Sequence, residues 1–278
     1  MNDNNRHSNR TSLKAWIRQR LISGNPCFSL QEVVGALSHL SRKVLVVALA
    51  RLKAKRLLYS PVKEFYVAMP DRYQLRGEIP PSYYVHDLMR HLGRDYYLGL
   101  ASAAALWGAG HQRIQRDFVV ITGERKKRRL AASGMIEWIF RHTLPEQFVV
   151  TRNTDGGVAR FSNPMLTAFD LVRNAHACGG MANVALMLAE MADEEPIDFS
   201  RARELEGFFP SATWQRLGFL CERVLGCSAM GERLHDIWRT LDMCSVCVPL
   251  TPNESGRSGD MDSRWKVVVN IDLEGEEL

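Results

Sequence analysis

Residues Ser29–Met69 read SLQEVVGALSHLSRKVLVVALARLKAKRLLYSPVKEFYVAM, and the order of caps, apolar spacings and turn residues in them decides the fold of the N-terminal region. Ser29 followed three residues on by Glu32 is a capping box: each side chain satisfies a backbone N–H at the other's position, so a helix starts near Leu30. Val33, Val34 and Leu37 give that short helix an apolar face, and Ser38-His39-Leu40 is the length of a helix-joining turn. Ser41 then caps a second helix running to about Lys55 or Arg56. Wound at about 100° per residue, it gathers Leu45, Ala48, Leu49 and Leu52 into a core stripe and leaves Lys43, Val47, Ala50 and Ala54 opposite. Leu57-Leu58-Tyr59 and Phe65-Tyr66-Val67 flank a turn at Ser60–Glu64, which predicts two short strands. Helix, turn, helix and hairpin in that order make a winged helix-turn-helix with residues 42–55 as its recognition helix.

The outer face of that helix suits double-stranded DNA. Lys43 is placed to reach a guanine edge, and Val47 and Ala50 to touch thymine methyl groups. Arg42, Arg51, Lys53 and Lys55 on the flanks, with Lys63 in the wing, suit phosphates, which fix register without reading sequence. With the cap Ser41 these form the expected contact set. A solvated basic helix is the plain alternative, and charge distribution weighs against it. Residues 1–70 hold 12 Lys or Arg against 3 Asp or Glu, a net of +9, whereas the remainder holds 24 against 28, a net of −4. The excess positive charge therefore sits on the segment with the helix-turn-helix pattern, as a polyanion-binding module requires.

This split, in a chain of 278 residues, predicts two domains. The polar start MNDNNRHSNRTS has no signal-peptide core and no apolar run reaches membrane-spanning length, so a soluble, cytoplasmic protein without membrane contact is expected. Six scattered cysteines are too few for a disulfide framework in a chain this long.

Taken in order, residues 1–11 read as a disordered tail. Ser12 caps a helix with Leu13, Trp16, Ile17 and Leu21 inward and Lys14, Arg18 and Arg20 outward, completing the winged helix-turn-helix over 12–70. Residues 71–82 lose periodicity and read as a linker. Over 83–278 the pattern is mixed α and β. Tyr83–Leu92 and the nearly uncharged Leu98–Trp107 look helical, while 118–121, 135–140, 148–151 and 158–161 look like strands. Helices follow from Asn163-Pro164, at 181–191, 199–205, 211–225 and 230–241, with Trp214 and Leu217 expected to anchor theirs to the sheet. Late strands at 246–250 and 265–271 are expected to rejoin the earlier sheet, with a loose segment at 251–263 between them. The predicted class is α+β.

The wing followed by PDRYQLRGEIPPS, then YYLGLASAAALWGAGHQ, NPMLTAFDLVRNA, WQRLGFL and RWKVVVNIDLEGEEL, together resemble the AbiEi family of antitoxins from type IV toxin–antitoxin, or abortive-infection, systems. The resemblance runs from about Ser29 onward. It implies a winged helix that binds inverted repeats in its own promoter as two molecules and represses the operon, and a C-terminal domain that opposes a nucleotidyltransferase-like toxin, encoded nearby, without a stable complex. Arg42, Lys43, Arg51 and Lys63 stand where the family's basic contacts are expected; no motif carries over antitoxic residues. The chain departs from the family at the wing, where a glycine often precedes the aromatic pair and Glu64 precedes Phe65-Tyr66 here. Two rival readings are a winged-helix regulator whose second domain senses a small molecule, and an interaction protein that sequesters a toxin directly.

Other constellations are weaker. Arg125-Lys126-Lys127-Arg128-Arg129, between two predicted strands, is either a solvated hairpin tip or a second nucleic-acid contact. Cys244-Ser245-Val246-Cys247 has zinc-like spacing, with Cys221, Cys227 and His235 as conceivable partners, but a single CxxC without a second pair points rather to packed thiols, so no metal or cofactor is expected. The helix GLASAAALW before the strand DFVVIT imitates the opening of a nucleotidyltransferase. Such enzymes pair carboxylates on alternate strand positions to hold metal ions, and two positions after Asp117 stands Val119. With no Walker loop and no G-x-S-x-G elbow, a non-enzyme is expected. Asp170 in TAFDLV reads as a packing or capping partner.

Overall fold

Serine hydroxyls start the first three helices of the chain. Ser12 accepts from the Ala15 N–H at 3.2 Å and opens α1, Leu13–Ile22. After β1, Cys27–Ser29, the Ser29 hydroxyl accepts from the Glu32 N–H at 3.2 Å while the Glu32 carboxylate accepts from the Ser29 N–H at 2.7 Å, so the predicted capping box opens α2, Leu30–Ala36. Ser41 caps α3, Arg42–Ala54. The wing follows as β2, Leu58–Tyr59, and β3, Phe65–Ala68, in an antiparallel sheet of order β1-β3-β2. Leu45, Leu49 and Leu52 of α3 are buried with Val33, Leu37, Phe28 and Leu58. Phe28 is the hub: Trp16 meets its ring edge-on at 5.1 Å and Tyr66 stacks on it at 5.7 Å.

Two expectations here are corrected. A strand at Cys27–Ser29 was not expected, since three residues before a helix cap show no alternation. Arg20 is not outward. Its guanidinium folds back, donating to the Asn25 carbonyl at 3.1 Å and to the Cys27 carbonyl, and lies over the Trp16 and Phe28 rings. It is committed to bracing the turn between α1 and β1.

The coordinates are a computed structural model that describes residues 11–75, 77, 79–110, 116–123, 135–241, 246–252 and 259–271. These form two units. The first continues through α4, Asp71–Gln74, and α5, Val85–Leu92, to Asp95, and includes Thr151–Ala159. Within it, the Thr154 hydroxyl donates to the Ser82 carbonyl at 3.1 Å and Arg72 pairs with Asp155 at 2.9 Å. Gly156 lies so close to Tyr83 that a Cβ would stand 1.9 Å from its carbonyl oxygen, so only glycine fits.

The second unit opens with β4, Tyr96–Leu98, which was not expected, and α6, Leu100–Ala104, inside the helix expected over Leu98–Trp107. β5, Asp117–Thr122, β6, Ile136–Arg141, β7, Val149–Thr154, and β8, Gly157–Ser162, follow in a sheet of order β6-β5-β4-β8-β7, residues 151–159 of β7 and β8 being those already counted with the first unit. β4 is its middle strand, antiparallel to β5 and parallel to β8. Then come α7, Pro164–Arg173, capped by Asn163 as predicted, α8, Met181–Glu194, α9, Ser211–Phe219, continuing into a π turn at Leu220–Val224, and α10, Ser228–Thr240. The expected helix at 199–205 is only a short 3-10 turn, Ala202–Leu205.

The late strands do not rejoin that sheet. β9, Val248–Pro249, β10, Asp260–Asp262, and β11, Val267–Val269, form a separate one of order β10-β11-β9. β10 lies inside the stretch expected to be loose; residues 253–258 fall outside the description. Trp265 fixes this sheet to α9. The ring is fully buried, its indole N–H donates to Glu222 at 2.9 Å, and a Cβ on Gly218 would stand 2.0 Å from it. Trp214, expected on the sheet, meets Phe169 of α7 edge-on at 4.6 Å.

At the centre of the second unit is a buried charge. Asp170, on α7 among Phe169, Leu171 and Val172, is wholly shielded from solvent. Its carboxylate accepts from the Tyr97 hydroxyl at 2.9 Å and pairs with the buried guanidinium of Arg141. Burial pushes the carboxyl up, against the opposing pull of Arg141 and Tyr97. Burial likewise opposes charge on Arg141, but Asp170 and Tyr97 together outweigh it and hold its pKa above the usual range. Gly99 makes room: a Cβ there would lie 2.9 Å from the Tyr97 ring and 3.2 Å from the Asp170 carboxylate. Asp170→Asn, which strands the buried guanidinium, is expected to cost about 3–5 kcal/mol in denaturant unfolding. Asp170→Asn with Arg141→Met should recover part of that loss, and a single-variant loss below about 1 kcal/mol would mean that the pair is not a keystone.

Candidate nucleic-acid interface

The core stripe of α3 fixes what faces outward. With Leu45, Leu49 and Leu52 buried, winding places Lys43, Val47, Ala50 and Ala54 along the opposite line, and all four are exposed. Arg51 and Lys55 fall on one flank, Arg42 and Lys53 on the other, and each is exposed, as are Ser41 and, in the wing, Lys63. The described structure thus brings the whole expected contact set onto one helix surface and its adjoining wing. Ser41 presents less than its type implies, because its hydroxyl accepts from the Val44 N–H at 3.4 Å.

Sequence reasoning missed three features of this surface. Val44 and Val46 are 52% and 41% exposed, close to the 46% of Val47, and winding sets them about 160° apart, on opposite flanks of the strip that carries Val47. Their signal was present: β-branched residues at non-core positions of a helix gain nothing from burial. The second feature is that Arg42 is not free, since its guanidinium pairs with the Glu64 carboxylate at 2.6 Å. The third is the backbone of Glu64, which adopts φ +64° in the left-handed region that favours glycine. The turn forms without the glycine, and the Glu64 carbonyl accepts the Leu30 N–H at 2.9 Å. One residue therefore links the wing to the start of α2 and to the start of α3.

The other constellations are dispersed or lie outside the described residues, as Arg125–Arg129 and Cys244 do. The Cys221 thiol is buried and pushed up to about 12 by that burial. Cys247 is exposed with its sulfur 3.4 Å from that of Met261, and His235 packs edge-on against Trp265 at 5.2 Å. Among the described residues no three His, Cys, Asp or Glu side chains are grouped to hold a metal ion. Asp117 accepts from the Ser102 hydroxyl at 2.9 Å, and that hydroxyl accepts in turn from the Phe118 N–H at 2.8 Å. Burial raises the Asp117 pKa, with Ser102 opposing. No helix of the described residues is long and apolar enough to cross a membrane.

Comparison with known proteins matches residues 97–223 to the AbiEi antitoxin C-terminal domain. The match begins at Tyr97 and contains Arg141 and Asp170, so the buried centre belongs to the matched domain. Among solved structures, the Rv2827c protein from Mycobacterium tuberculosis is similar at a TM-score of 0.62 and 16% identity over 91% of this chain and 90% of that one, a likeness of fold. A nucleotidyltransferase-like antigenic protein from Paracoccidioides brasiliensis reaches a TM-score of only 0.32 at 12% identity, over 59% of this chain and 93% of that one, and carries no argument. No curated protein matches.

Glu64 sets two effects against each other: a left-handed backbone costs about 1–2 kcal/mol for a residue with a Cβ, whereas an exposed ion pair is worth at most about 1 kcal/mol. Glu64→Gly is therefore expected to be at least as stable as the parent in denaturant unfolding. A loss beyond about 1 kcal/mol would mean that the contact with Arg42 outweighs the strain.

Proposed function

We propose that this chain, an AbiEi family antitoxin by its residues 97–223, is a cytoplasmic autorepressor that binds double-stranded DNA through the winged helix at 12–70 and opposes a nucleotidyltransferase-like toxin through the region beyond a linker at 71–82. The antitoxin half rests on the matched domain. What supports the DNA half is one observation: α3 carries an exposed strip without a single carboxylate, bordered by basic side chains on both flanks.

In this reading α3 enters the major groove, Lys43 bonds a guanine edge, and Val47 and Ala50 meet thymine methyl groups. Arg51, Lys53 and Lys55 neutralise phosphates, Lys63 reaches one from the wing, and Arg42 exchanges Glu64 for a phosphate on docking. Two molecules occupy inverted half-sites about one helical turn apart, and antitoxin and toxin act in opposition without a stable complex. The basic run Arg125–Arg129 is a second nucleic-acid contact.

The test is binding of the full-length protein to the DNA upstream of its own gene and to random DNA, across a salt series. Lys43→Ala should weaken the specific site by about 1–3 kcal/mol and spare random DNA, whereas Arg51→Ala should weaken both and lower the salt slope by about one. Equal losses from both variants on both DNAs would sink the assigned roles, and no specific binding by the parent would sink the repressor reading. Reversing the charges of Arg125–Arg129 should lower either operator affinity or rescue from the toxin; parental values in both would reduce the run to solvated surface.

A further inference from the structure

The second unit holds a cleft that the reading above does not use. It has a volume of about 440 Å³ and lies where the end of β6 meets the end of α7 and the turn before α9. Arg141, His142, Thr143 and Arg173 supply its polar lining and Phe140 and Phe208 much of its apolar lining, and among the described residues no carboxylate lines it.

Two guanidinium groups converge there over one ring. The Arg141 guanidinium carbon stands 4.4 Å from the centre of Phe209 and that of Arg173 stands 6.0 Å from it. Arg141 is 8% exposed, with one amino group on Asp170 and the other 3.5 Å from the Phe208 carbonyl. Its Nε–H is buried and has no acceptor among the described residues. A donor of that kind is costly to leave unmet, so an acceptor brought to it would be stabilised. Arg173 makes no hydrogen bond or ion pair among the described residues, and its pKa is lowered first by burial and then by repulsion from Arg141. Asp170 neutralises one of the two cations, so the cleft keeps about one uncompensated positive charge before His142 is counted.

We propose that this cleft is a binding site for the phosphate group of a small ligand, with the free Nε–H of Arg141 and the guanidinium of Arg173 as its charged donors and Thr143 as a neutral one. Forked guanidinium donors match tetrahedral phosphate oxygens, and the acid-free lining spares an incoming anion any repulsion. The shared chemistry is the phosphate, whose source is either the free ion or a nucleoside phosphate whose base lies on Phe140 and Phe208. Nothing in this inference requires DNA binding, so the two can fail separately.

The experiment is thermal unfolding and calorimetric titration of the full-length protein with inorganic phosphate, and separately with each common nucleoside monophosphate, at fixed ionic strength, using chloride as the control anion. At least one probe should raise the melting temperature and give a saturable dissociation constant in or below the millimolar range. Arg173→Gln, altered at an exposed position, should unfold near the parent temperature without ligand and bind that probe roughly tenfold or more weakly. Arg203→Gln, which removes an exposed charge outside the cleft, should bind as the parent does. Tighter binding of a nucleoside monophosphate than of phosphate would identify the nucleoside source, and equal binding the free ion. The proposal is overturned if no probe binds, if Arg173→Gln binds unchanged, or if Arg203→Gln loses as much affinity as Arg173→Gln.

Discussion

A carboxylate with no access to water must have its charge answered by the protein, and the second unit is built around that demand. Asp170 sits in a helix whose other neighbours are apolar, so its partners come from elsewhere: Tyr97 from the middle strand of the sheet and Arg141 from the end of an edge strand. Meeting both at once fixes the helix in rotation and height against the sheet, because a shift by one residue would strand the charge. The absent side chain of Gly99 lets the strand and helix come this close. Apolar packing alone tolerates many arrangements of similar volume, whereas a buried three-way polar contact tolerates few.

The first unit relies on shorter-range rules. Each of its first helices begins at a serine that satisfies a backbone N–H three residues on, and its core is one apolar stripe per helix. Burial of Leu45, Leu49 and Leu52 on α3 is what obliges Lys43, Val47 and Ala50 to face outward, so core and candidate interface come from the same periodicity. Glu64 ties the wing to both helices of the motif through its carbonyl and its carboxylate.

These two kinds of constraint explain what reading the chain alone could recover. Caps and helical stripes are local, so the helix-turn-helix, its wing and the outward residues of α3 were legible before any coordinates. β1 and β4 were not, because three residues flanked by a turn or a helix are too few to alternate visibly. The late strands were recognised but assigned to the wrong sheet, since periodicity says that a strand exists and nothing of its partner. Partnerships across long separations were hidden as well: Arg42 with Glu64, Arg20 with the carbonyls beyond its own helix, and Asp170 with Arg141. An aspartate amid apolar helix residues did announce a buried polar contact, but not which base would answer it.

The position of Trp265 bears on how the chain is made. Its ring closes against Gly218 and Glu222 some forty residues behind it, and Gln215 of α9 donates to its carbonyl at 3.0 Å. A nascent chain can assemble the winged helix soon after it emerges, because most of that unit is contiguous. The second unit must wait, with the face of α9 around Gly218 uncovered, until residue 265 has been synthesised. A transcript cut short before that codon would thus yield a chain with an intact N-terminal unit and an open core behind it, the kind of product that cellular proteases remove. The two units would then leave the ribosome with unequal maturity, the first folded while the second is still incomplete.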